Sequence, residues 1–320
     1  MALRFLHSQL FVTPLIPVTS FKGQTIIVTG SNTGLGLEAA HHFVRLGAAT
    51  VVLAVRSIEK GNAAKASIEA RTGREDVIKV RHVDMSSYAS VLNFVDTASK
   101  DLKRIDVALL NAGVNRGKWE VAEEHESTIT VNVLSTFLLA FALLPNLIAT
   151  STRFNTKPTL TIVASEVHQW ADFPERTAPT GQILSSLSRE IVNGKPTDLG
   201  NRYQLSKLLQ ILVVSHLTSL HPDLPVTINT ANPGLCWSDL SRESGWGMYV
   251  LQLLLARKAE VGSRCLVHAA NKGHGSYVSD GVEAQVGEWV GSDEGKETAQ
   301  RVWDEVQSVL EGVRVGITKV

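Results

Sequence analysis

Six short runs rich in β-branched residues, each separated from the next by a segment of helical spacing, constrain this chain more than any other feature. The runs are TIIVT (25–29), TVVLAV (50–55), VIKVRHV (77–83), IDVALL (105–110), TLTIVA (159–164) and VTINTA (226–231). They are continuously apolar rather than alternating, which marks strands covered on both faces, as in a central parallel sheet. Segments such as GLEAAHHFVRLGA (36–48), IEKGNAAKASIEARTG (58–73) and SYASVLNFVDTASKDL (87–102) have the spacing of amphipathic helices. Strand and helix in alternation predict an α/β fold, a doubly wound parallel sheet with right-handed crossovers. No repeat, linker or low-complexity tract divides the 320 residues, so one large domain is expected over 22–320 after an N-terminal extension, 1–21.

Composition narrows the classes. Lys plus Arg and Asp plus Glu balance at 31 each, without the basic excess of a nucleic-acid binder. The two cysteines, Cys236 and Cys265, form no metal-ligand spacing and no disulfide framework. A reducing, cytoplasmic setting without a metal is therefore expected. The N-terminal stretch is broken by Pro14 and Pro17 and has no convincing signal sequence. FLLAFALL (137–144) falls short of the ~20 apolar residues a bilayer span needs and reads as a buried helix. MYVLQLLLA (248–256) is also short; it can wall an apolar pocket or touch a membrane surface peripherally.

Two segments break the rhythm. Residues 166–200 contain Pro174, Pro179 and Pro196 and read as a long functional insertion before the next helix. Residues 235–320, with Trp237, Trp246, Trp289 and Trp303, look irregular and are assigned to substrate enclosure.

The first strand runs into TGSNTGLG (29–36) and then a helix. Gly30, Gly34 and Gly36 would supply a tight turn, close backbone approach and close helix packing, with Asn32 in the turn and the Leu35 N–H facing a pyrophosphate. Glycine triplets alone often mark plain loops, but this one sits at the first strand-to-helix crossover, the context of a dinucleotide site. The second strand ends LAVRS with no carboxylate for the ribose hydroxyls. Arg56 and Lys60 there can pair a 2′-phosphate, so NADP(H) is expected over NAD(H), against the plain alternative of a solvated helix start. Asp84 can accept from the adenine amino group or cap the next helix. Asn111 can pin neighbouring strands, with Ala112 and Gly113 leaving room for the cofactor.

Ser165 ends the fifth strand, at the sheet edge where such folds bind ligands. Glu166 and His168 beside it invite a hydrolase triad, but no Gly-x-Ser-x-Gly elbow surrounds Ser165. Tyr203 and Lys207 lie four apart on a helix and share a face. A cation about 4 Å from a phenol, at an effective dielectric of about 20, favours the phenolate by about 4 kcal/mol. That is about three pK units, enough to bring a tyrosine from 10 towards 7. A surface pair is the plain alternative.

TGSNTGLG, NAG (111–113), YQLSK (203–207) and NPG (232–234) together resemble the short-chain dehydrogenase/reductase family over roughly residues 22–275. The resemblance implies a Rossmann-type fold and a catalytic set. Asn132 would hold a water in a proton relay to Lys207, Ser165 would orient and polarise the carbonyl oxygen, Tyr203 would donate the proton, and Lys207 would lower its pKa. Pro233 and Gly234 would line the nicotinamide side, with Ser238 near the carboxamide. Ala164 stands where a first serine often precedes the catalytic one. Tyr203 follows Ser165 by 38 residues, a gap longer than usual. It is similar to the branch of retinol dehydrogenases and WW-domain oxidoreductases, and the entry sequence is similar to fungal secondary-metabolite reductases.

The resemblance implies an NADP(H)-dependent oxidoreductase acting on a ketone, aldehyde or alcohol of a hydrophobic small molecule, polyketide-like and from secondary metabolism. The alternatives are a retinoid- or steroid-type alcohol dehydrogenase at a membrane surface and a non-catalytic NADPH-sensing regulator. In the family, helices matching 131–148 and 200–220 often form a homodimer face.

Overall fold

The computed structural model describes residues 2–192, 194–237, 240 and 246–319. Its main sheet has eight strands: β1 Thr25–Thr29, β2 Thr50–Val55, β3 Ile78–His82, β4 Val107–Leu110, β5 Thr159–Val163, β6 Thr227–Asn232, β7 Tyr277–Ser279 and β8 Val282–Ala284. Their spatial order is β8-β7-β6-β5-β4-β1-β2-β3, and every pairing is parallel except β7 with β8. The order reverses between β1 and β4. There the crossovers leave to opposite faces and a crevice opens at the carboxyl ends of the strands.

Each face of the sheet is covered, which is why β1, β4 and β5 are buried along their whole length. One core packs Phe43 and Ala39 of the helix Gly34–Arg45, Ile68 of Ile58–Thr72 and Leu266 of Ala259–Ala269. The other packs Val91 and Phe94 of Tyr88–Asp101, Leu138 and Leu139 of Ser135–Phe154, Leu209 and Leu212 of Leu199–Leu220, and Trp303 of Asp293–Val313. Ser57, Ser87 and Asp198 cap their helices by accepting backbone N–H bonds, as expected of residues that start helices. Among the described residues one helix, Ser127–Phe154, is long and apolar enough to cross a membrane; 72% of its most apolar window is buried inside the fold.

The structure fills in two segments that the sequence left open and corrects a third, read as irregular. First, the N-terminal extension is ordered. Ala2–Phe11 is a helix, and residues 12–21 are held across two others: Arg264 donates to the Pro14 carbonyl, His268 to that of Leu15 and Arg45 to that of Pro17. Phe21 ends the strap edge-on against Phe43. Second, the insertion is largely packed structure. Ile183, Leu184 and Leu187 are buried, and Glu305 accepts the N–H groups of Ile183 and Leu184. A carboxylate at that helix start offsets the loss of water there. The hairpin Ile191–Val192/Lys195–Pro196 stands exposed. Third, the C-terminal part is regular. Asp293–Val313 lies against Leu199–Leu220, and Trp303 stacks on Phe141 at 5.2 Å between centroids. Trp303 is thus a core residue, not part of a substrate wall.

Candidate active site

The glycine loop is shaped by two contacts. Gly30 and Gly34 have φ of +62° and +57°, which a side chain rarely tolerates. A Cβ on Gly36 would stand 2.5 Å from the Gly30 carbonyl oxygen and 2.6 Å from Asn111 Nδ2. Asn111 fixes the loop from the neighbouring strand: its Nδ2 donates to the carbonyl of Thr29 at 2.9 Å, and its backbone N–H donates to Thr29 Oγ1. Ala112 N–H shares that hydroxyl. The helix Gly34–Arg45 begins here and aims its first N–H groups along the crevice. A backbone cradle beside a helix N-terminus fits the pyrophosphate of a dinucleotide. Asn32 is half-buried in the turn. The Leu35 side chain packs towards Ala259–Ala269, where a Cβ on Gly262 would come within 3.0 Å of it.

Arg56 and Lys60 are exposed just beyond β2. Asp84 faces Arg56, but its Oδ1 accepts both the N–H and the hydroxyl of Ser86. Burial raises the Asp84 pKa; these hydrogen bonds and Arg56 oppose it, and the net shift is downward. The carboxylate therefore serves the turn itself. Ser87, not Asp84, caps the following helix.

The four tetrad residues converge beside this cradle. Ser165 follows β5 with extended backbone, and Ala164 continues the ladder by donating to Ala231. The Ser165 hydroxyl lies beside the Tyr203 phenol and acts to lower its pKa. Lys207 Nζ lies 5.7 Å from the Tyr203 ring centroid and donates to the Val163 carbonyl at 2.7 Å. Asn132 sits in a π-helical turn, Thr130–Leu134, a distortion often found at functional sites. Its side chain clamps the loop after Gly113, accepting from Val114 N–H and donating to the Val114 carbonyl, both at 2.9 Å. Asn132 Nδ2 also donates to Ser206 Oγ. Ser206 thus positions Asn132. A Cβ on Gly113 would stand 3.2 Å from Asn132 Oδ1 and 3.8 Å from Lys207 Nζ.

The electrostatics differ from the expectation drawn from spacing. Burial pushes the Tyr203 pKa upward, more than Ser165 lowers it. Burial also brings Lys207 down to about 7. A dry pocket penalises both charged forms, so the lysine is only partly ammonium at neutral pH. Its cation alone does not offset the burial that raises the Tyr203 pKa in the cofactor-free protein.

His168 forms no triad. Its Nδ1 bonds the Ser165 carbonyl at 2.7 Å, and its Nε2 accepts the Gly287 N–H. Both nitrogens are used, and burial lowers its pKa, so it is a neutral structural ring.

Pro233 and Gly234 leave the end of β6 towards the site, Gly234 with φ of +76°. Ser238 lies outside the described residues. Sequence reasoning missed three side chains that hold this loop. Asn232 Oδ1 accepts from Glu166 N–H and Gly234 N–H, tying the Ser165 turn to the Gly234 turn. Arg257 pairs Asp280 at 2.7 Å and donates to the Ser8 carbonyl. Gln9 bonds Leu235 through both ends of its amide. Asn232, a polar residue ending a buried strand, carried a signal; Gln9 carried none. A cavity of about 580 Å³ lies between Arg4, His7 and Glu166, but none of the four tetrad residues lines it.

The short chain dehydrogenase/reductase of Cryptosporiopsis sp. is 45% identical over 98% of both chains. The chain is a short-chain dehydrogenase/reductase. A family model for short chain dehydrogenases matches residues 24–166 of this short-chain dehydrogenase/reductase. A short-chain dehydrogenase of Penicillium roqueforti is 40% identical over 99% of this chain and 85% of its own. A solved structure from Mycobacterium paratuberculosis shares the fold, with a TM-score of 0.70, 23% identity and coverage of 93% and 98%. As a member of this family the protein is an oxidoreductase that binds a nicotinamide dinucleotide and acts on small molecules.

Proposed function

We propose that this short-chain dehydrogenase/reductase is an NADP(H)-dependent carbonyl reductase, or the reverse alcohol dehydrogenase, for a hydrophobic small molecule of secondary metabolism. The observation that carries it is the convergence of Ser165, Tyr203 and Lys207 at the carboxyl end of β5, beside the Gly30–Gly36 cradle. The bound nicotinamide supplies or accepts the hydride. Ser165 holds the carbonyl oxygen. Tyr203 gives that oxygen its proton as the alcohol forms, and takes it back in oxidation. Lys207 would hold the nicotinamide ribose, and the cradle and Gly113 would accommodate the dinucleotide. Arg56 and Lys60, with no carboxylate at the end of β2, favour a 2′-phosphate over a free hydroxyl.

An apolar substrate is supported by Trp237 and by Val250, Leu251, Leu253 and Leu254 of the helix Trp246–Leu255, all exposed beyond the Gly234 loop. A non-catalytic NADPH sensor would be expected to lack part of the tetrad, and all four residues are present. Purified protein should oxidise NADPH with members of a panel of apolar ketones and aldehydes. Tight NADPH binding with no turnover across that panel would sink the reading in favour of a sensor.

One observation favours a second reading, an alcohol dehydrogenase working at a membrane surface. Exposed Leu3, Leu10 and Phe11 lie on the helix that contacts Trp246–Leu255, whose Leu253 and Leu254 are also exposed. Flotation with liposomes tests it; protein that stays entirely at the bottom of the gradient rules it out.

A further inference from the structure

Gln210 lies one helical turn beyond Lys207, close enough for the two side chains to meet. It is 1% exposed. Lys207 Nζ donates to Gln210 Oε1 at 3.2 Å, and Gln210 Nε2 donates to the Asn132 backbone carbonyl at 2.5 Å. Chemistry fixes the orientation of the amide. The Asn132 carbonyl can only accept, and an ammonium can only donate. The π-helical turn Thr130–Leu134 presents the Asn132 carbonyl to this neighbour. The resemblance implies a water between Asn132 and Lys207. Here a side-chain amide spans that gap.

We propose that Gln210 is a positioning residue of the catalytic set, a fixed bridge from the Asn132 carbonyl to the Lys207 amine in place of a relay water. This rests on the oxidoreductase reading of the site. The bridge has two consequences. It supplies an acceptor to the lysine where solvent is excluded, favouring the ammonium and so the Tyr203 phenolate beside it. It also closes the path through Asn132 to proton transfer, because a carboxamide neither gains nor loses a proton near neutrality. When the substrate oxygen becomes a hydroxyl, the Tyr203 O–H bond breaks and the product O–H bond forms. The phenolate then regains its proton from solvent admitted as product leaves the cleft, Tyr203 being half-buried. Among the described residues, Tyr203 is the titratable side chain shown near Lys207 and no ionic interaction shifts the lysine, so the amide is the acceptor to vary.

Two measurements test this. The first is a high-resolution crystal structure of the wild-type protein with NADP⁺. The Gln210 amide is expected to span Asn132 and Lys207; an ordered water between them, with Gln210 turned away, overturns the proposal. This readout stands even if no carbonyl substrate is turned over, so failure of the oxidoreductase reading is distinguishable. The second is the pH profile of kcat. Gln210→Met keeps the volume but removes the amide. It is expected to raise the apparent pKa of the basic limb by about one unit and to slow alcohol oxidation at pH 7 about tenfold. A purely structural role would lower the melting temperature of Gln210→Met and leave its profile unmoved, which overturns the proposal. Should Gln210→Met fail to fold, the crystal structure alone decides.

Discussion

Gln9 pairs with Leu235 as one strand pairs with another: Oε1 accepts the Leu235 N–H at 3.2 Å, and Nε2 donates to the Leu235 carbonyl at 3.0 Å. The same Nε2 reaches the Leu255 carbonyl at 2.9 Å. A residue near the start of the chain thereby holds the loop that leaves β6 beside the catalytic residues. Gln9→Ala strips the Leu235 N–H and the Leu255 carbonyl of this partner, while the Leu235 carbonyl keeps the Arg257 N–H at 2.8 Å, at a cost of about 1–3 kcal/mol. Hydrogen exchange at Leu235 is expected to quicken and the KM for cofactor to rise, with the Leu109 amide in central β4 unaffected. Unchanged exchange at Leu235 would show that the loop holds itself.

Tyr203→Phe removes the proton donor and leaves the ring in place. Turnover is expected to fall by about 10²–10⁴-fold. NADPH binding, followed by fluorescence, should stay within a few-fold of wild type. Full activity would remove Tyr203 from the chemistry.

Arg56→Glu places a carboxylate beside the end of β2. The KM for NADPH is expected to rise about tenfold or more, equivalent to ~1.4 kcal/mol, while that for NADH changes little or falls. Equal effects on both cofactors would show that Arg56 does not read the 2′-phosphate.

Lys207 makes stability depend on pH. Its folded pKa is depressed, to about 7, from an unfolded value of 10.5. Between those values the unfolded chain binds one proton more than the folded one, so stability rises with pH. Below pH 7 both states are protonated and the burial penalty is present in full. In the cofactor-free protein, the unfolding free energy of wild type relative to Lys207→Met should climb from pH 7 to 10 by up to about 1.4 kcal/mol per unit. Urea melts across that range check it. The upward shift of Tyr203 leaves that phenol neutral through the window. A flat difference would place the lysine charge in a wetter setting.

The helix Asp293–Val313 packs on Leu199–Leu220, and its Trp303 reaches Phe141 in Ser135–Phe154. These are the helices that the family resemblance offered as a homodimer face. With that surface already covered, light scattering at micromolar concentration should give a monomer. A dimer would require another surface or displacement of this helix. Trp303→Ala should cost about 3–5 kcal/mol, as expected for a large buried aromatic.

Local pattern carried much of this in the sequence. Continuous β-branched runs marked β1 to β6 because strands covered on both faces leave no polar side. Gly30, Gly34, Asn111, Ser165, Tyr203 and Lys207 were legible because each stands at a strand end or at a fixed helical offset, and the family resemblance gave those positions their roles. The strands β7 and β8 were not legible: three residues each are too few for a period. The helix Asp293–Val313 does show its period in the sequence: Thr298, Val302, Trp303, Val306 and Leu310 recur on one face.

By itself the sequence determined the alternation that winds the sheet, the glycine cradle at its first crossover and the types of residue at its carboxyl edge. Only the tertiary structure decided what surrounds them. Gln9 against Leu235, Gln210 between Asn132 and Lys207, and Trp303 over Phe141 join segments distant in the chain or set by a single rotamer. The pKa values belong here too. Four residues of helix put a lysine near a tyrosine, but how far each is removed from water depends on every element packed around them. That desolvation drew Lys207 down to about 7 and pushed Tyr203 up.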